Sequence, residues 1–244
     1  MKIIYKLLFL FLLTIGYSSC DFLDIVPDEI TTEADAFKDR NAAKNFVYSC
    51  YGYLPQSNVA SGSLDLLTGD EVITAFEHET FASFPKGNYT ASSPVISYWN
   101  TFFQGLRQCY IFLENVDKVP DLTESVKTDY IAQVKFLIAY YHYQLARCYG
   151  PIILIKELPD VNASQAEYLP RTSYDECVDW ICNLLDEAAS SLPAIRTNKE
   201  DYGLATSVGA KAVKAKMLLY AASPLFNGNS SFYSNFTDKS GSQL

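Results

Sequence analysis

The 244 residues are 49% hydrophobic and 19% charged, with 28 Asp and Glu against 19 Lys and Arg and a formal net charge of −9. That composition excludes a disordered tail, a collagen-like fibre and a low-complexity linker, and it is enough to build one domain with a sizeable core. No basic stretch interrupts the acidity after residue 20, so neither nucleic acid nor an anionic lipid surface is an expected partner.

The chain opens with an address. Lys2 and Lys6 precede an apolar run from Leu7 to Ile15, broken by Gly16. The run is too short to span a bilayer and has the length of a signal-peptide core. Ser18 and Ser19 then lead into Cys20. A cysteine directly after small residues resembles the bacterial lipoprotein cleavage signal, although Tyr17 stands where that pattern prefers Leu. The expected organisation is a lipoprotein signal peptide over 1–19 and a mature helical domain over 20–244, anchored through a lipid on Cys20. An ordinary secretory leader with a chance cysteine is the alternative. Five cysteines remain, Cys50, Cys109, Cys148, Cys177 and Cys182, with no metal-ligand spacing among them; they read as small buried hydrophobes.

Residues 31–53 read as helix, with Thr32 capping a short first turn and Asp39 capping a longer piece that carries Ala43, Phe46, Val47 and Cys50 at helical spacing. Residues 97–118 form the next helix. Ser97 is the expected cap, and Trp99, Phe102, Phe103, Leu106, Tyr110, Leu113 and Val116 recur at intervals of three and four. Over 123–149, Val126, Tyr130, Val134, Leu137, Tyr141, Leu145 and Tyr149 make one stripe, and Ile131, Phe136, Tyr140 and Tyr143 a second. A helix apolar on two faces is sandwiched between neighbours. Gly150-Pro151 ends it, and the run Ile152 to Ile155 leads away in extended form. Residues 173–192 begin with a Ser173/Glu176 capping box. Residues 206–222 begin at Thr206 or Ser207 and are rich in alanine.

These elements predict an all-α fold of tetratricopeptide-like, solenoid-like helical pairs, 97–118 with 123–149 and 173–192 with 206–222. Residues 54–96 are the exception: a long irregular segment rich in Gly, Pro, Ser and Thr, of the length that usually carries function, with short strands conceivable inside it. His78 and His142 are the only histidines. His142 falls mid-helix among tyrosines and reads as a core or groove residue. No nucleophile motif, phosphate loop, dinucleotide fingerprint or metal site accompanies them, so no catalytic residue, cofactor or metal is expected.

Several stretches together resemble the SusD/RagB family of outer-membrane lipoproteins, along essentially the whole of residues 20–244. They are Cys20-Asp21-Phe22-Leu23-Asp24, Thr32 to Phe37, Tyr51-Gly52-Tyr53-Leu54, Gly69-Asp70-Glu71, and Trp99 to Asn115. Further along come Lys135 to Leu145 with Tyr149-Gly150-Pro151, Pro170 to Ser173, and Ala221-Ala222-Ser223-Pro224-Leu225-Phe226-Asn227-Gly228. Family members usually run to about twice this length, a multi-segment size for a single chain. The chain is therefore expected to be the family's N-terminal half, with ligand residues of the second half beyond Leu244.

The resemblance implies a non-catalytic, surface-exposed lipoprotein of a Gram-negative outer membrane. Such a protein captures oligosaccharides or other nutrients and delivers them to a SusC-like TonB-dependent transporter. A sugar site needs aromatic faces beside polar groups, and the long segment offers Phe76, Phe81, Tyr89 and Trp99 with Asp70, Glu71, Asn88 and Asn100. The same rings would equally serve to pin the segment to the helices. Two other readings stand beside this one: a helical-repeat interaction scaffold without a small ligand, and a secreted hydrolase using Asp70 or Glu71.

Overall fold

The computed structural model describes residues 33–56, 75–76, 80–160, 162, 169–238 and 241–243. Cys20, Thr32, Asp70 and Glu71 lie outside them. The chain divides into two compact units, residues 1–36 and 37–244. The described part of the first is a single turn of helix, α1 (Glu33–Ala36).

The second unit is built from helices. In α2 (Arg40–Tyr51), Asp39 is the cap that the sequence indicates: its Oδ1 accepts from the amides of Asn41 and Ala42, both at 2.8 Å. The buried face of α2 is Ala43, Val47 and Cys50. The rings of Phe37, Phe46 and Phe112 form a cluster with centroids 4.8–6.1 Å apart, which fixes α2 against α3 (Trp99–Asn115).

Helix α3 does not start as expected. It enters at Tyr98, and no side chain of its own caps it. The cap comes from the far end of α4 (Glu124–Tyr149): the Tyr149 hydroxyl oxygen accepts from the amides of Tyr98 at 3.0 Å and Trp99 at 3.2 Å. This bond joins the start of α3 to the end of α4, so the two run antiparallel. At Gly105 an added Cβ would lie 3.0 Å from the Tyr53 side chain and 3.1 Å from Tyr141. The missing side chain is what lets three elements meet there.

Helix α4 is the centre of the domain and packs on α2, α3, α5 (Tyr174–Ser191) and α6 (Ser207–Ala221). Its residues 141–146 are buried without a break, the signature of a helix covered on both sides. The second covered face differs in composition from the sequence reading. Ile131, Phe136 and Tyr140 are half-buried, and Ala132, Ile138, Ala139, His142 and Ala146 close the face. Small residues allow the close approach that a row of rings would prevent. Gly150, at φ +70°, turns the chain out of α4 in a conformation that favours glycine.

Ser173 caps α5 by accepting from the Glu176 amide at 3.4 Å, but the box is half-made, because the Glu176 carboxylate pairs with Lys156 instead. Thr206 caps α6 through the Gly209 amide at 3.1 Å. Lys135 to Glu187 at 2.9 Å ties the early half of α4 to the late part of α5, as expected of antiparallel neighbours. Lys214 and Asp186 tie α6 to α5. A last turn, α7 (Ser230–Tyr233), follows. The result is the all-α arrangement of consecutive antiparallel helix pairs. Among the described residues of 54–96 there is a 3₁₀ turn, Thr80–Ser83, and an isolated bridge between Thr90 and Ser93, but no strand.

Three polar side chains inside the core, His142, Tyr110 and Tyr141, are paired with the chain's own backbone. His142 is fully buried: one ring nitrogen, Nδ1, lies 2.8 Å from the Ile138 carbonyl, and Nε2 accepts from the Ile155 amide at 3.1 Å. The Tyr110 hydroxyl donates to the Ile155 carbonyl at 2.6 Å. The non-helical run after α4 is thus threaded between two helices. Tyr141 donates to the Cys50 carbonyl. Cys50, Cys109, Cys177 and Cys182 are buried, as expected of small hydrophobes, and Cys148 is half-buried; burial holds the Cys109 thiol well above its ordinary pKa. Among the described residues no helix is long and apolar enough to cross a membrane.

Candidate functional site

The start of α3, the ends of α4 and α6 and the start of α5 converge at one end of the domain. Trp99, the first residue of α3, stands edge-on to Tyr149 with centroids 5.2 Å apart, and beside Phe103 at 4.9 Å. The Arg171 guanidinium covers the indole at 5.1 Å and donates to the carbonyls of Tyr149, at 3.1 Å, and Pro151. Arginine here does two things at once: it closes the carbonyls that the end of α4 leaves open and makes a cation–π contact.

Next to this cluster, and sharing Tyr149 with it, is a cleft of about 570 Å³. Its walls are the end of α4, Tyr174 and Tyr220, and the aromatic residues that follow α6. Phe226 lies parallel to Tyr174 at 4.3 Å and to Tyr233 at 6.1 Å, and Phe236 follows at 6.2 Å. The Tyr220 hydroxyl donates to the Arg147 carbonyl at 3.1 Å. The Tyr174 hydroxyl is buried and has no hydrogen-bond partner among the described residues, and burial pushes its pKa up. Asp175 and Gln243 add polar groups at the rim. An apolar wall with a few polar groups is the general form of a site for a small organic ligand. Sequence reasoning passed over this cleft. Its signal was the aromatic run Phe226, Tyr233 and Phe236 in an Asn- and Ser-rich stretch, but only the fold brings these rings into one cleft with Tyr149 and Tyr174.

The residues proposed from the sequence fall in different places. Phe76 and Tyr89 are exposed, at 62% and 51%. Tyr89 leans edge-on against Phe84 at 5.3 Å. Asn88 and Asn100 are exposed as well. Phe81 belongs to the 3₁₀ turn, and its side chain lies outside the described residues, as do Asp70 and Glu71 entirely. Trp99 is half-buried within its own ring cluster, separate from the Tyr89–Phe84 pair.

A second cleft, of about 690 Å³, opens at the other end of α4. Three of its lining residues, Asp129, Gln133 and Arg196, are committed to one polar network. Arg196 forks onto Asp129 at 2.8 and 2.9 Å and onto the Ala205 carbonyl at 2.7 and 3.0 Å. Gln133 donates to Asp129 at 2.8 Å, and Tyr51 donates to Gln133 at 3.0 Å while accepting from the Ala205 amide at 2.9 Å. This network fixes the 193–205 loop, and its own groups are spent on one another.

Comparison with known proteins gives this architecture a family. The SusD-like family model, described as starch-binding and associating with the outer membrane, matches residues 21–219. The chain belongs to the SusD-like family. A SusD-like protein, P25, from Formosa agariphila is 23% identical over 230 residues, which are 89% of this chain and 43% of that protein. Among solved structures, BT4246 is 36% identical with a TM-score of 0.72, over 80% of this chain and 33% of its own. A SusD-like protein from Bacteroides fragilis is 26% identical with a TM-score of 0.65, over 76% of this chain and 36% of its own. The chain thus spans less than half the length of these SusD-like relatives. The tetratricopeptide-like reading of the helices agrees with the SusD-like fold.

Proposed function

We propose that this chain is part of a surface glycan-binding lipoprotein that captures oligosaccharides and delivers them to a SusC-like TonB-dependent transporter in the outer membrane. It acts by binding, without turnover. The observation that carries this reading is the concentration of aromatic faces with polar neighbours at one end of the helical domain, in a chain whose family is described as starch-binding. Pyranose rings present C–H faces that pack on aromatic side chains and hydroxyls that need hydrogen-bond partners.

In this proposal residues 1–19 are a signal peptide and Cys20 carries the lipid. The exposed rings of Phe76 and Tyr89 meet the ligand. Asp70, Glu71, Asn88 and Asn100 supply polar contacts, with Phe81 and Trp99 as supporting rings. The test is calorimetric titration of the protein with a panel of neutral oligosaccharides, starch-derived ones first. Saturable binding is expected. Asp70→Ala combined with Tyr89→Ala should weaken it by about tenfold or more, since one polar and one aromatic contact each contribute on the order of 1 kcal/mol, with an unchanged melting temperature. Unaltered affinity in the double variant removes this segment from the site and leaves the aromatic cleft lined by Tyr149, Tyr174 and Phe226 as the ligand's place. No binding across the panel rejects glycan capture in favour of a scaffold role.

A further inference from the structure

Small residues line the joint between α2 and α3, and two of them are cysteines. Cys50 stands in the last turn of α2 and Cys109 in the middle of α3, and neither has any exposed surface. Their side chains meet across the joint, close enough for one thiol to hydrogen-bond the other. Two further contacts hold the backbones together at this level. Tyr141 of α4 donates to the Cys50 carbonyl. One turn before Cys109, the Tyr141 ring also lies against the bare backbone of Gly105, where an added Cβ would stand 3.1 Å from it. A single ring is thus seated on both helices beside the two thiols. Facing residues of this size let helices approach closely, and close approach is what a disulfide needs, since its Cα atoms lie within about 7 Å of each other. The cysteines of α5 are placed differently: Cys177 faces the Ile152 and Thr172 carbonyls at 3.8 and 3.5 Å, and Cys182 lies on the same helix.

We propose that Cys50 and Cys109 are a disulfide-forming pair that staples α2 to α3. The oxidant is a disulfide-bearing molecule, such as oxidised glutathione or a thiol–disulfide oxidoreductase. One cysteine thiolate attacks the oxidant's S–S bond, which gives a mixed disulfide and releases one thiol; the second cysteine then displaces the other. Cys50 and Cys109 together give up two protons and two electrons, and the oxidant's two sulfurs leave as thiols. Attack needs a thiolate, and burial disfavours one at Cys109 in the closed core. The bond therefore forms while α2 and α3 are coming together, and the closed core then shields it from reductant. It closes a loop of about 60 residues, and the constraint that this places on the unfolded chain is the source of the stabilisation. The loop contains the whole of residues 54–96, so that segment would leave and rejoin the domain at a cross-linked base.

The test is refolding of the protein in a mixture of oxidised and reduced glutathione, followed by alkylation in denaturant and tryptic mapping without reductant. Cleavage after Lys44, Lys86, Arg107 and Lys118 puts the two cysteines on separate peptides, 45–86 and 108–118. These should be recovered as one linked pair, lighter by two hydrogens than the sum of its parts, and the link should survive mild reductant in the native protein. The bridged protein should melt about 5 °C or more above the reduced one, given a loop of that length in a domain of this size. In Cys50→Ala and in Cys109→Ala, reductant should leave the melting temperature unchanged. Recovery of both wild-type cysteines as alkylated peptides overturns the proposal. So does a link between them that is no more abundant than bridges to Cys148, Cys177 or Cys182, since oxidation would then be unselective. Equal melting temperatures for the bridged and reduced protein also overturn it, because the bond would not be a staple.

Discussion

His142 shows how much one buried side chain can couple to pH. It is fully enclosed, and desolvation lowers its pKa from 6.5 to about 4, against a smaller opposing effect of the Ile138 carbonyl. The folded protein therefore holds the ring neutral, with Nδ1–H donated to Ile138 and Nε2 free to accept from Ile155. Because the folded pKa lies below the unfolded one, this contribution to stability is complete above about pH 6.5 and is lost as pH falls toward 4. Its full size is about 3 kcal/mol. Chemical denaturation of wild type and His142→Leu between pH 7 and 4 should give a steeper decline for wild type. A histidine signal in the folded protein titrating near 6.5 and assigned to His142 would contradict this. Leu137, on the opposite stripe of α4, has no exposed surface. Leu137→Ala should cost about 2–5 kcal/mol of unfolding free energy; a loss below about 0.5 kcal/mol would mark the site as surface-like.

Between elements, the joint that matters most is the Tyr149 hydroxyl over the first amides of α3. It replaces a local cap with one delivered from 50 residues away. Tyr149→Phe keeps the ring contact with Trp99 and removes only the acceptor. It should cost about 0.5–2 kcal/mol, the range for losing a helix cap. The amides of Tyr98 and Trp99 should then exchange faster, while those in the middle of α4 keep their protection. Unchanged exchange at the start of α3 would mean that another group caps it. The same joint aligns Trp99, Arg171 and the aromatic cleft, so it positions the candidate site as well as the helix.

At the scale of the whole molecule, the proposed anchor and the helical body are separable. The lipid on Cys20 would hold an acidic domain outside the membrane, and removal of Lys2 and Lys6 with the leader takes the formal charge of −9 to −11. A body of that sign is not drawn to anionic headgroups, so attachment would rest on the lipid. Cys20→Ala should shift the protein from the membrane fraction to the soluble one. Retention of the variant in washed membranes would place the anchor elsewhere.

Period and punctuation were enough to read the helices from the sequence. Apolar residues at three and four, Asp39, Ser173 and Thr206 at helix starts and Gly150-Pro151 at a helix end are local signals, each acting within one turn of the backbone. The double-faced pattern of 123–149 likewise announced a central helix, because burial on two sides leaves an apolar imprint all round. What the sequence could not hold is which distant groups meet. Ser97 was the local candidate for the cap of α3, and Tyr149 took its place because antiparallel packing brings the end of α4 there. The aromatic cleft joins residues from 147 to 243, and His142 becomes core because the run at 152–155 folds back over it. Those partnerships depend on helix order and crossing geometry, which set long-range distances that no residue spacing along the chain encodes.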